Sequence, residues 1–322
     1  MDITRRAAIG AALTASVASR ARAQSEWPNR SVRLIVPFPP GGGTDLLARV
    51  LAQHLQSRLG QPFVVENRSG GGGLLATELV TRAAPDGYTL AVNSSGPLTI
   101  LPQLTSVPYD PMADFVHIAL PAITPLLLVV APNSRFRSFS DLLHRARRQP
   151  GGLNACTGGQ GSPSHLIVEM LTRAFQLDMV QIPYRGSGPA LTEAIAGNCD
   201  LLFDSGTSSL PFIRQGTLRA LAVSGSARLA ALPDVPTIAE QGAPGFEASA
   251  WSALFAPAGT PPPIVARLNQ EVRALMATPA QQERLANSGS IPMDLSPEAF
   301  TAFLQRERAS WGEIIRSANI RL

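Results

Sequence analysis

The chain has 322 residues, with 45% hydrophobic and 16% charged residues, which is enough apolar material for two lobes of ordinary size and too little polar excess for disorder. All 27 basic residues are arginine against 23 acidic ones, giving a formal charge of +4. Four of those arginines and one Asp fall in the first 23 residues, so the rest of the chain carries only +4 − 4 + 1 = +1, which excludes a nucleic-acid footprint.

Residues 1–23 have the form of an export signal. Arg5-Arg6 make a charged start, Ala7 to Val17 a mildly apolar stretch, and Ala21-Arg22-Ala23 a small-x-small cleavage pattern that predicts a mature start at Gln24. The arginine pair after Thr4, with Arg20 and Arg22 near the cut, points to the twin-arginine route, although Ala8 stands where a bulky apolar residue is usual. The apolar stretch is too short to anchor a mature protein in a membrane.

Leu34-Ile35-Val36, with Phe38 after Pro37, reads as a buried strand that runs through Pro39, Pro40 and three glycines into a helix beginning at Thr44-Asp45. Leu47, Val50, Leu51 and Leu55 recur at helical spacing and predict one face packed on a sheet. Thr44 is the expected N-cap, Asp45 suits the positive end of the helix dipole, and Gly60 is the expected stop. A strand, glycine turn and helix N-terminus in this order make an anion seat. The Lys of a phosphate loop is missing, and Leu46 replaces the third glycine of a dinucleotide fingerprint, so a nucleotide is not the expected ligand.

Further on, Phe63 to Glu66 reads as a strand, Arg68 to Gly73 as a glycine-rich loop, Leu74 to Ala83 as a helix, and Tyr88 to Val92 as a strand ending in Asn93-Ser94-Ser95-Gly96. Phe115 to Leu120 and Leu126 to Val130 read as two separate strands. Ser138 with Asp141 forms a capping box, and Arg145, Arg147 and Arg148 close that helix as a solvated face. Leu153 to Thr157 repeats the opening device, running into Gly158 to Gly161 and a helix from Ser162. His165 lies in that helix's first turn, where a structural role outweighs a ligand role. Val180 to Pro183 leads to Tyr184-Arg185-Gly186-Ser187-Gly188 and a helix at Pro189 to Ala196. Asp200 to Phe203 ends in Asp204-Ser205-Gly206, and Leu218 to Val223 is another strand. Trp251 to Ala256 reads as a returning strand, followed by helices at Pro262 to Ala277, Ala280 to Asn287 and Pro297 to Ala318.

No catalytic set assembles from this sequence. Gly161-Ser162-Pro163-Ser164 is not a nucleophile elbow, and no carboxylate–histidine group has metal spacing, so neither a cofactor nor a metal is expected. An exported hydrolase using Ser162 needs a general base beside it, and His165, three residues on, is poorly placed. What recurs is a strand, a small-residue loop and a helix N-terminus, on both halves of the chain. Ligands of open α/β sheets sit at the carboxyl ends of strands, so two such lobes make a cleft for a small acid with a carboxylate at each end. Arg185 is the candidate charge. Asp204 is open between receiving an ammonium group and capping the next helix. Cys156 and Cys199, placed at opposite ends of two parallel strands, are expected to stand about 10 Å apart or more as two buried thiols.

The wording of these stretches resembles one family closely. IVPFPPGGGTDLLARVLAQHL, VVENRSGGGG, AAPDGYTL, PYDPMADF, GSPSHL, PYRGSGPAL, LPDVPTIAEQG and FAPAGTP follow the order found in the Bug, or TctC-like, substrate-binding proteins of tripartite tricarboxylate transporters. The resemblance implies a periplasmic, type II binding protein of α/β class, two-lobed, each lobe a mostly parallel sheet flanked by helices. It implies a small carboxylate ligand, a membrane permease as partner, and a monomer. Carried over position by position, it implies ligand contacts from Phe38, Pro39, Gly43, Thr44 and Asp45, from Ser94 and Ser95, and from Gly158, Ser162, His165, Tyr184, Arg185, Gly186 and Asp204. Crossings near Thr124–Pro125 and Ser249–Trp251 divide the chain into lobe one, residues 24–125 with 250–322, and lobe two, residues 126–249. A sensory receptor passing occupancy to a membrane kinase has the same lobes, and the sequence does not separate the two roles.

Overall fold

The structure is a computed structural model and describes residues 27–317 and 319–320, so the expected signal and its cleavage site lie outside the described residues. The first half opens with β1 (Val32–Val36), α1 (Gly43–Leu59), β2 (Phe63–Asn67), α2 (Leu74–Thr81) and β3 (Thr89–Ser94). A π-turn at Gly96–Ile100 runs into the short α3 (Leu101–Leu104), followed by β4 (Phe115–Val130). The second half has α4 (Phe139–Arg148), β5 (Asn154–Thr157), α5 (Pro163–Ala174), β6 (Val180–Pro183), α6 (Ser187–Ala196), β7 (Leu201–Ser205), α7 (Gly206–Arg214) and β8 (Arg219–Val223). The chain returns through β9 (Ser249–Pro257), α8 (Pro262–Met276), α9 (Pro279–Ser288), β10 (Ile291–Pro292) and α10 (Pro297–Ser317).

The strands are hydrogen-bonded in the order β2-β1-β3-β9-β4-β7-β5-β6, with β8 and β10 also on β4. β1, β2 and β3 are parallel, as are β7, β5 and β6; β9 and β4 join the two groups antiparallel. Helices pack against both groups of strands, giving two α/β halves joined through β4 and β9. Four apolar clusters fill the space between helices and strands, two in each half. α10 serves both: Phe300 and Leu304 pack with the first half, Trp311 and Ile315 with the second. Glu307, between them, accepts hydrogen bonds from the indoles of Trp251 and Trp311, each at 3.1 Å.

Four expectations need correction. Phe115 to Leu120 and Leu126 to Val130 are one strand of 16 residues, not two. Pro121 and Pro125 interrupt the sequence pattern, but the pairing with β9 shifts register between His117 and Ala122, and prolines are tolerated where a ladder is irregular. Second, Thr44 does not cap α1. The helix starts one residue earlier with Gly42 at the cap, and the Thr44 hydroxyl instead stands 2.8 Å from that of Ser252 on β9. Third, Leu51 and Leu55 are fully buried with Ala48, whereas Leu47 and Val50 pack against the same cluster but stay half-buried and also line a cavity. The apolar stripe of α1 is wider than the sheet needs.

Fourth, Cys156 and Cys199 form a disulfide, with Cα atoms 5.9 Å apart. Strand β7 begins only at Leu201. Gly197 turns left-handed at φ 78° to end α6, and the bend from Gly197 to Asp200 lays Cys199 back against β5. An extended strand at Cys199 was the mistaken premise. Two other termini follow their sequence signals: Gly60 closes α1 at φ 74°, and Ser138 with Asp141 forms the reciprocal capping box.

Candidate functional site

The carboxyl ends of β1, β3, β5 and β7 converge, and a cavity of about 170 Å³ lies among the loops that follow them. Phe38 comes from the first loop, Gly43 and Thr44 from the start of α1, and Ser94 from the end of β3. Gly158, Ser162 and Ser164 come from the loop after β5, Ser187 from the start of α6, and Asp204, Ser205 and Thr207 from the end of β7. The middle of β4 (Ala122, Thr124) and the start of β9 (Ala250, Trp251, Ser252) form the floor between the two groups.

Most polar groups here are hydroxyls that pair with one another. Thr44 pairs with Ser252, Thr124 with Ser290, and Ser288 with Ser290, each at 2.8 Å. Ser162 caps α5 by accepting from the His165 backbone N–H at 3.2 Å, and its hydroxyl lies 3.1 Å from that of Ser164. Ser164 in turn accepts from the Gly158 N–H at 2.8 Å. Hydroxyls are donors and acceptors at once, so this lining can turn its protons toward an anion without leaving a charge buried when the cavity empties.

Asp204 is the one acidic residue of the lining and is 1% exposed. Burial pushes its carboxyl up to about 6, against hydrogen bonds from the hydroxyls of Ser208 and Ser209 and from the backbone at Ser205. Both hydroxyls belong to the first turn of α7, so the carboxylate is committed to that helix start. The cap itself is Ser205, which accepts from the Thr207 N–H at 3.2 Å, so Asp204 braces the helix start without capping it.

Seven of the expected contacts do not line the cavity. Asp45 is 2% exposed and holds the first loop in shape. It accepts from the Gly41 N–H at 3.0 Å, from Asn67 at 2.9 Å and from Arg49 at 3.0 and 3.1 Å. Burial raises its carboxyl, but Arg49, Asn67 and Gly41 together hold it below its ordinary value. Pro39 and Gly186 meet each other, a Cβ on Gly186 falling 3.1 Å from the Pro39 ring. Ser95 is fully buried beside Ser94, with no hydrogen-bond partner for its hydroxyl among the described residues. His165 is half-buried, and burial lowers its imidazole against the pull of Glu169. Tyr184 packs on the cluster behind β5 and β7, and Arg185 is exposed. Among the polar residues that sequence reasoning did not single out are Ser187, Ser205 and Ser252, each within a recognised loop or strand, and Thr124, Thr207, Ser288 and Ser290, with the α9 pair Gln281 and Arg284, for which no local signal existed.

The two groups of loops touch. A Cβ on Gly42 would stand 2.5 Å from the Ser187 hydroxyl, and one on Gly206 would stand 2.5 Å from the Ser288 carbonyl. One on Gly72 would stand 2.9 Å from the Gln160 carbonyl. Glycine at these places lets backbones meet across the cleft.

Residues 47–320 match the sequence model of the tripartite tricarboxylate transporter family receptors. Protein BugT of Bordetella pertussis is 38% identical over 311 residues, covering 96% of this chain and 95% of BugT. Among solved structures, Rpa4515 of R. palustris with adipate superposes with TM-score 0.88 at 35% identity, covering 92% of this chain and 99% of the other. MatC (Rpa3494) of Rhodopseudomonas palustris with bound malate gives TM-score 0.84 at 35% identity, covering 90% and 100%.

Proposed function

The chain belongs to the tripartite tricarboxylate transporter receptor family, and on that premise we propose that it is a periplasmic receptor that closes over a small organic acid and presents it to a membrane permease. The observation that carries this reading is the hydroxyl-lined cavity at the meeting point of four strand ends, two from each half of the sheet. A lining of hydroxyls and backbone N–H groups favours reversible capture over the deep well of a buried ion pair. The related proteins with adipate and with malate support a carboxylate as the ligand class.

In this reading the lobes are residues 24–125 with 250–322, and 126–249, and they hinge where β4 and β9 pass between them. Phe38, Gly43, Thr44 and Ser94 contact the acid from one lobe, and Gly158 and Ser162 from the other. The receptor binds and does not catalyse: the Ser162 hydroxyl is engaged with Ser164 and with the His165 backbone, and the His165 ring is not part of the lining. It works as a monomer, and it leaves the cytoplasm by the twin-arginine route encoded at Arg5-Arg6.

The test is calorimetry on a panel of mono-, di- and tricarboxylates, paired with small-angle scattering with and without the best ligand. Binding of at least one acid with a smaller radius of gyration is expected. If no carboxylate binds, or if the tightest one leaves the scattering curve unchanged, the receptor reading fails.

A further inference from the structure

The cavity has two chemically different sides. One side carries the hydroxyls of buried Thr44 and Ser94 and of half-buried Ser252. The other is apolar, built from half-buried Leu47 and Val50 on α1, buried Met276 at the end of α8, and half-buried Leu285 on α9. Next to Leu285 stands Arg284, the one cation of the lining, exposed and without a carboxylate partner among the described residues. At the helical rise of about 1.5 Å per residue, α1 carries the wall roughly 9 Å from Thr44 to Val50.

Resting on the reading of this cavity as the ligand site, we propose that Arg284 determines specificity by pairing with the second acid group of a diacid whose body is apolar. One carboxylate sits among the hydroxyls. A spacer of several methylenes, or a ring, lies along Leu47, Val50, Met276 and Leu285. The far carboxylate reaches the guanidinium, which is built for two parallel hydrogen bonds to such a group. Asp204, the only acidic residue of the lining, is turned onto Ser208 and Ser209 and does not compete for Arg284. Each methylene of spacer removed from water is worth about fourfold in affinity. A hydroxylated acid such as malate or citrate places an unpaired hydroxyl against that wall and loses by about tenfold or more.

The experiment is calorimetry of adipate, suberate, hexanoate, malate and citrate on the mature protein and on Arg284→Gln, an exposed position where the fold is not at risk. Adipate or suberate should bind tightest, and R284Q should weaken them by about tenfold or more while moving hexanoate by less than about twofold. The proposal is overturned if R284Q weakens diacid and monoacid by the same factor, if it weakens neither, or if malate or citrate outbinds both apolar diacids. Failure of every acid to bind the unmutated protein would instead bring down the receptor reading itself.

Discussion

A Cβ built on Gly188 would stand 2.7 Å from the carbonyl oxygen of Pro40, so the first turn of α6 and the loop after β1 meet backbone to backbone across the cleft. Gly188 lies within a helix and its φ is not positive, so alanine suits its backbone and favours the helix. Because the clash is with backbone, Gly188→Ala should push the two loops apart and bind the best acid at least about tenfold more weakly, while the helix preference of alanine offsets part of the loss in melting temperature. Melting and titration of the same sample separate these opposite effects. Unchanged affinity would mean that the loops need not meet.

Thr44 and Ser162 face the cavity from opposite halves, and each hydrogen bond to a charged group is worth about 1.5–3 kcal/mol. Thr44→Val and Ser162→Ala should each weaken binding by roughly tenfold or more. Ser162→Ala also removes the cap that accepts the His165 N–H and should cost about 1 kcal/mol of stability. Titration alongside urea unfolding measures both, and binding as tight as in the unmutated protein would remove that residue from the site.

Asp204 couples stability to pH. Its carboxyl is pushed up from 3.8 to about 6 by burial, so the folded state holds the proton more tightly than the unfolded chain. The contribution is fully present below about pH 4 and is lost as pH rises through 6, amounting to about 3 kcal/mol. Asp204→Asn does not titrate, so its stability relative to the unmutated protein should climb between pH 4 and 7. Urea unfolding of the pair across that range tests the sign; a difference that does not vary with pH refutes it.

The Cys156–Cys199 bridge closes a separation of 43 residues. A link of that span should stabilise by about 4 kcal/mol through restriction of the unfolded chain. The intact protein should weigh two hydrogens less than its reduced form, and urea unfolding with reductant should show the loss. Identical unfolding curves with and without reductant would contradict it.

The strand–loop–helix repeats, and with them the strand ends around the cavity, were legible because glycine and small polar residues punctuate apolar runs. The loss came where a reading depended on distance in space. Arg185 sits in a recognised loop yet points to solvent, while Arg284 reaches the cavity from a helix about a hundred residues later in the chain, with nothing in its neighbours to mark it. Leu47 and Val50 carry the same periodicity as the core residues Leu51 and Leu55, and periodicity alone does not say where a core ends and a ligand wall begins. Cys199 was misplaced for a related reason: one left-handed glycine decides whether the residues after a helix run straight or fold back.

β4 and β9 pass from one half of the sheet to the other as paired neighbours, through Ala122 opposite Ser252, Ile123 opposite Trp251 and Pro125 opposite Ser249. Two strands laced together behave as a leaf spring, compliant to bending out of their plane and stiff to sliding or splaying within it. Ala122, Thr124, Ala250 and Ser252 lie on the spring and on the cavity floor at once. If the proposed closure hinges on these strands, an acid filling the cavity would bear on the flexing element directly, and its length would set the angle between the two halves. In the proposed receptor, a permease docking across both rims need never touch the acid to tell a correct cargo from a wrong one; it has only to gauge the angle.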